Sequence, residues 1–175
     1  MKRGYIQVYT GDGKGKTTAA LGLAIRAAAS GMYVYIGQFV KGMHYSELDI
    51  LSKCPYLGEH IKLKQYGREC FIHNEPTEDD KKLACEGLDD LREAMKSGIY
   101  DVVIADEINI AVYFKLFSEE RLLDLMRSKP ESIELIITGR KATEKIIKQA
   151  DLVTEMREIK HYYTKGVQAR VGIEK

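Results

Sequence analysis

The sequence predicts an α/β protein, a three-layer sandwich with a mainly parallel central sheet. Three observations carry this. Short apolar, β-prone runs alternate with helix-patterned segments along the 175 residues. The first run ends in a loop rich in glycine and lysine that opens directly into a helix. A later run, residues 102–105, ends on two adjacent acids, Asp106 and Glu107.

Taken in order, residues 5–9 read as the first strand. Residues 17–30 follow as a helix. Its apolar positions Ala19, Ala20, Leu21, Leu23, Ala24, Ile25, Ala27 and Ala28 wrap most of the way round, which predicts burial on more than one side. Gly31 closes it as a C′ glycine. Residues 33–36 form the second strand, with a loop over 38–42. Residues 61–65 are a weaker strand, and 66–76 read as loop around Gly67, Asn74 and Pro76. Thr77 then caps a long helix that ends near Lys96. Glu78, Asp79 and Asp80 stand in its first turn, close to the positive end of the dipole. Its stripe of Leu83, Ala84, Gly87, Leu88, Leu91, Ala94 and Met95 has helical spacing. The rest reads as a strand at 102–105, a helix at 119–128 stopped before Pro130, a strand at 133–137, a helix at 143–149 and a short strand at 152–153.

Apolar strands of this length, joined by helices, predict a sheet covered on both faces with right-handed crossovers. No linker divides the chain. One domain is expected over residues 1–175, with 160–175 as a C-terminal tail near the active site.

Composition narrows the function classes. Hydrophobic residues make up 45% and charged residues 30%, the balance of a soluble globular protein. Lys+Arg number 27 against 26 Asp+Glu, so the net charge of +1 gives no case for nucleic acid or an anionic membrane as partner. Cys54, Cys70 and Cys85 form no CxxC pair, which argues against a zinc ribbon or a thioredoxin-like site and for reduced thiols. The N-terminal residues show no apolar signal region, and no run is long enough to span a bilayer. A cytoplasmic location is expected.

The chemistry concentrates in two places. Between the first strand and the first helix stands Thr10-Gly11-Asp12-Gly13-Lys14-Gly15-Lys16-Thr17-Thr18. Glycines let the backbone curl until several N–H groups face one point. The helix N-terminus adds partial positive charge, Lys16 adds a full one, and Thr17 offers a hydroxyl to Mg²⁺. The strict Walker A pattern asks for glycine where Thr10 stands, while Gly15-Lys16-Thr17 fits its end. The second place is the acidic strand end, which reads as a Walker B element with Asp106 or Glu107 toward the metal. Together they define a P-loop NTPase of RecA-like architecture. Gly11 through Thr18, Lys41 after the second strand and Arg140 after the strand at 133–137 are the candidate nucleotide-binding residues. Lys16, Thr17 and Glu107 are the candidate catalytic residues, and Thr17, Asp106 and Glu107 the candidate metal ligands. His161 either contacts nucleotide or packs on Tyr162 and Tyr163.

These residues specify a Mg–nucleotide, and a kinase, an ATPase or an alkyl transferase all carry them. A resemblance separates the three. Gly11-Asp12-Gly13-Lys14-Gly15-Lys16-Thr17-Thr18 resembles the loop of the P-loop ATP:corrinoid adenosyltransferases. Gln38-Phe39-Val40-Lys41-Gly42 is similar to their Q-F-x-K-G stretch, and Val103-Ile104-Ala105-Asp106-Glu107-Ile108-Asn109 to their V-V-L-D-E-x-N. Thr138-Gly139-Arg140, the run from Ala150 to Met156, and Lys160-His161, Gly166, Ala169 and Gly172-Ile173-Glu174 match in the same order.

The resemblance implies transfer of the 5′-deoxyadenosyl group of ATP to the Co(I) of a reduced corrinoid, with release of triphosphate, in adenosylcobalamin synthesis or salvage. It implies Mg²⁺ or Mn²⁺, a flavodoxin-like or other reductase as the source of Co(I), and a homodimer. The apolar stretch 110–117 is a candidate interface. The family's aromatic G-x-G-F-T-W stretch has no match here, since the chain lacks tryptophan. Tyr66 or Phe71 is expected to stand in for it against the corrinoid, with Asn109 as a further contact. The competing reading is a nucleotide or nucleoside kinase, or an ATPase. Each of those would release ADP.

Overall fold

A computed structural model describes residues 2–68 and 75–174 of the chain. Six strands form one sheet: β1 (Ile6–Thr10), β2 (Val34–Phe39), β3 (Ile61–Tyr66), β4 (Val102–Asp106), β5 (Glu134–Thr138) and β6 (Leu152–Glu155). Their order is β3-β2-β4-β5-β1-β6, and every pairing is parallel. The helices between them are α1 (Lys16–Ala29), α2 (Ser46–Lys53), α3 (Pro55–His60), α4 (Glu78–Lys96), α5 (Ile108–Tyr113), α6 (Glu119–Arg127) and α7 (Glu144–Gln149).

The continuous apolar strands follow from burial on both faces. In β4, Val102 and Ile104 turn to the face covered by α1, while Val103 and Ala105 turn to the face shared with α4, α5 and α6. Helix α1 lies on its sheet face through the small residues Ala20, Ala24, Ala27 and Ala28. Its opposite side is open: Ile25 is 48% exposed. The expected burial on more than one side is therefore replaced by a single buried face. Helices α2 and α3 contribute no buried residue, and a cavity of about 80 Å³ remains between them, Leu21, Ile25 and Leu63. These two helices are a loose cover, which explains why no strong apolar period announced them.

Helix α4 matches its sequence signals closely. Thr77 Oγ1 accepts from the Asp80 amide, and the Asp80 carboxylate accepts from the Thr77 amide, a complete capping box. Gly87 lets this helix approach β2 and β3. A Cβ there would lie 2.6 Å from Tyr66 Cγ and 2.9 Å from Phe39 Cε1.

Two expectations change, at β2 and at β6. Strand β2 runs on through Gln38 and Phe39, because Gln38 pairs in register with both Gln65 and Asp106. In the stretch 110–117, Ala111, Leu116 and Phe117 are buried, while Tyr113, at 57%, and Lys115 are exposed. Strand β6 is an edge strand whose four residues are all exposed. No described helix is long and apolar enough to cross a membrane.

Candidate active site

The sheet order sets four strand ends side by side: β2, β4, β5 and β1. In a parallel sheet these C-terminal edges are where ligands bind, at the crevice outside the strands. Each end carries part of the cluster.

From β1 the chain enters the glycine loop. Gly11 and Gly15 take φ of +91° and +125°, which favour a residue without Cβ. A second constraint acts on Gly11 and Gly13. The segment after β6 lies against them, and a Cβ at either would approach the Met156 carbonyl oxygen to 2.5 and 2.7 Å. The Gly13 amide donates to that oxygen at 2.6 Å. Helix α1 then starts at Lys16 with Gly15 as its N-cap, so no side chain covers its first amides. Lys16 Nζ donates to the carbonyls of Gly11 and Gly13, both at 2.8 Å. Burial pushes this ammonium below its ordinary pKa, while Glu107 opposes the shift.

From β4 comes Asp106, whose side chain is 1% exposed. Its Oδ1 accepts from Thr17 Oγ1 at 2.9 Å and from Thr138 Oγ1 at 2.7 Å. Its Oδ2 accepts from Lys41 Nζ at 2.8 Å and Gln38 Nε2 at 3.3 Å. Lys41, after β2, also reaches Thr17 Oγ1 at 3.4 Å. Burial works against the Lys41 charge, but Asp106, with Glu107 and Glu47 behind it, more than offsets this and raises the pKa.

Glu107 follows in a left-handed conformation, φ +58°, with its amide donating to Thr138 Oγ1 at 2.9 Å. For a residue with a Cβ this backbone is strained, and such strain gathers at functional sites. Burial, and then the charge of Asp106, raises the pKa of the Glu107 carboxyl, while Lys41, Lys16 and Arg140 pull it down. No hydrogen bond links the Glu107 carboxylate to Thr17 or Asp106 among the described residues.

The other expected site residues scatter. Arg140 is exposed on the turn after β5, Thr18 is exposed in the first turn of α1, and Asp12 is exposed on the loop, facing Lys141 at 3.8 Å. Lys14 Nζ donates to the Ile173 carbonyl at 3.0 Å, which draws the tail to the loop. His161 Nδ1 accepts from the Tyr163 amide and its ring packs 4.9 Å from Tyr162, the local packing alternative.

Two residues expected at the corrinoid lie inside the fold. Tyr66 is 2% exposed, because β3 extends to it and turns its ring under α4; its hydroxyl is shared with Tyr35 and Asp90. Asn109 is fully buried, and its Nδ2 donates to the Gly139 carbonyl at 3.2 Å, so it braces the turn that carries Arg140. Phe71 lies outside the described residues. Sequence reasoning gave no role to Thr138, Gln38, Glu47 or Met156. Thr138, Gln38 and Met156 stood inside quoted motifs, where only Lys41 and Arg140 drew attention.

No group of three or more His, Cys, Asp or Glu among the described residues is set to hold a metal. One hydroxyl and one carboxylate, both hard oxygen donors, are instead present at Thr17 and Asp106. That sparse set fits Mg²⁺, which keeps waters and takes its remaining ligands from phosphate oxygens. The ammonium of Lys41 pairs with the same carboxylate.

Known proteins are similar to this chain in fold and in sequence. In the solved structures, the fold is similar to the flagellar accessory protein FlaH of Methanocaldococcus jannaschii, at a TM-score of 0.59 and 12% identity over 89% of this chain and 72% of that one. A KaiC-like protein of Pyrococcus horikoshii OT3 aligns at a TM-score of 0.57 and 16% identity, over 87% of this chain and 73% of that one. These are P-loop NTPase folds. In sequence, the chain is 33% identical to a corrinoid adenosyltransferase of Sinorhizobium sp, over 99% of this chain and 81% of the relative. It is 32% identical to the corrinoid adenosyltransferase of Escherichia coli K12, over 99% and 86%. The profile of the ATP:corrinoid adenosyltransferases BtuR/CobO/CobP matches residues 2–174. The chain belongs to the ATP:corrinoid adenosyltransferase family, enzymes that join the adenosyl group of ATP to a corrinoid.

Proposed function

We propose that residues 10–18 grip the polyphosphate of ATP so that C5′ of the ribose faces the corrinoid. The Co(I) electron pair forms the Co–C5′ bond, the C5′–O5′ bond breaks, and its electron pair leaves with triphosphate. No proton is transferred at the reacting carbon, so no general base is required. The observation that carries this reading is the convergence of Lys16, Thr17, Lys41 and Asp106 at one sheet edge. Negative charge accumulates on the departing triphosphate, and fixed cations and amides stabilise it in place. Lys16 and the first amides of α1 supply that stabilisation, with Arg140 at the rim.

Thr17 Oγ1 and Asp106 would hold Mg²⁺ or Mn²⁺, which neutralises phosphate charge when bound. Thr138 and Gln38 orient the Asp106 carboxylate. Glu107 balances the cations around it. A homodimer in the cytoplasm, with a flavodoxin-like or other reductase delivering Co(I), completes the reading. Light scattering that returns a monomer would remove the dimer.

The test mixes protein, Mg-ATP and chemically reduced cob(I)alamin without oxygen, and follows the corrinoid spectrum and the phosphate product. A light-sensitive adenosylcobalamin spectrum with triphosphate is expected, reduced at least about a hundredfold in Lys16→Ala. ADP in place of triphosphate would overturn the reading in favour of a kinase or ATPase.

A further inference from the structure

A divalent ion shared between Thr17 and a polyphosphate needs the Thr17 hydroxyl oxygen and the nearby Asp106 carboxylate. An ammonium already stands on both. Lys41 Nζ lies 2.8 Å from Asp106 Oδ2 and 3.4 Å from Thr17 Oγ1. The two side chains are 13% and 1% exposed, so solvent screens little of their charge. A second cation on the same oxygens would be repelled strongly there.

We propose that Lys41 is an exchangeable counter-ion: its ammonium excludes free metal from Thr17 and Asp106, and moves onto the polyphosphate when metal and nucleotide enter together. This rests on the reading that those two residues hold the metal. Charge is conserved in the exchange, because Asp106 loses the ammonium only as another cation arrives, and the phosphate gains the ammonium.

The surroundings suit a movement confined to the side chain. The main chain on both sides of Lys41 is fixed against residues 66–68. Val40 donates to the Tyr66 carbonyl at 3.2 Å, and a Cβ on Gly42 would lie 2.3 Å from the Gly67 carbonyl oxygen. A Cβ on Gly67 would lie 2.5 Å from the Lys41 amide nitrogen. Val40 takes φ +57°, a conformation unfavourable for a β-branched residue, and this sets the direction in which Lys41 leaves the strand. Lysine carries a compact charge on a flexible stem, which an exchange needs. The Tyr45 ring, 5.1 Å from Nζ, offers the ammonium an aromatic face. Asp106 keeps Thr17, Thr138 and Gln38 as donors, so it stays oriented when Lys41 departs.

The test measures Mn²⁺ affinity from the free-ion electron paramagnetic resonance signal without ATP and, because ATP itself removes free Mn²⁺, from equilibrium dialysis of Mn-ATP against the protein with it. It uses the wild-type chain, Lys41→Met and Lys41→Arg. Without ATP, Lys41→Met is expected to bind Mn²⁺ at least about tenfold more tightly than wild type, and Lys41→Arg to restore exclusion. With ATP, all three bind it. A smaller gain for Lys41→Met overturns the proposal, as does equal affinity of the Met and Arg variants. If Lys41→Met does not fold, Lys41→Gln carries the same comparison, keeping a polar tip without charge. Mn²⁺ that fails to bind wild type even with ATP removes the metal-site reading itself, a result distinct from the first two.

Discussion

Thr138 shows how much one hydroxyl does at this site. It is fully buried, donates to Asp106 Oδ1 at 2.7 Å, and accepts from the Glu107 amide at 2.9 Å. It therefore ties the acidic end of β4 to β5 and fixes both acids at once. Thr138→Val keeps the shape and removes the O–H, leaving a buried amide without its acceptor. A loss of about 1–3 kcal/mol is expected, read from urea midpoints, together with a fall in kcat. Thr138→Ser should recover most of both. A valine variant as stable and active as wild type would show that the bridge is not used. Asp106 and Lys16 were legible in the sequence because each sits in a pattern whose mechanism is local. Thr138 was not, because its partner Asp106 is 32 residues away and only strand order brings them together.

At the scale of the element, α4 carries two predictions. Asp80 is its N3 residue, and the Arg68 guanidinium bonded to it, with the Thr77 amide, holds its carboxyl down at about 2, against an ordinary 3.8. Because the folded-state value is the lower one, the stabilisation is full above the ordinary carboxylate range and is lost as pH falls toward about 2. Unfolding free energy should drop by about 2 kcal/mol on acidification across that window, and Asp80→Asn should flatten the drop while costing stability at neutral pH. Urea titrations of both chains at neutral and acid pH check this; parallel curves would refute it. The second prediction is Gly87→Ala. Helix propensity favours alanine by about 1 kcal/mol, while forcing a methyl against buried rings costs about 1–3 kcal/mol. The rings of Tyr66 and Phe39 are 2% and 0% exposed, and the Tyr66 hydroxyl is held by Asp90 and Tyr35, so they yield little. Net destabilisation is expected, seen as a lower thermal midpoint. The cap and stripe of α4 were plain in the sequence. The close approach at Gly87, and with it the burial of Tyr66, depended on where β3 ended, and the sequence pattern placed that end one residue early.

At the scale of the whole molecule, the order β3-β2-β4-β5-β1-β6 converts scattered motifs into one edge. It also sends the chain leaving β6 across the loop after β1, where Met156 meets Gly11 and Gly13. The tail beyond it is different in kind. No described residue from 157 to 174 is buried. Its internal order comes from Glu174, which accepts from Tyr162 and Arg170, and its tie to the loop comes from Lys14 and the Ile173 carbonyl. Ordering without burial contributes little to global stability, yet it places a covering segment beside the nucleotide loop. Ending the chain after Ile159 should therefore shift unfolding by no more than about 1 kcal/mol, since exposed residues are being removed. Adenosylation should fall much further, with Lys14→Ala showing a smaller loss in the same direction. Circular dichroism on heating and the anaerobic corrinoid assay separate the two effects. A truncated chain that unfolds early would mean the tail belongs to the fold, and one that retains full activity would mean the tail does not serve the site.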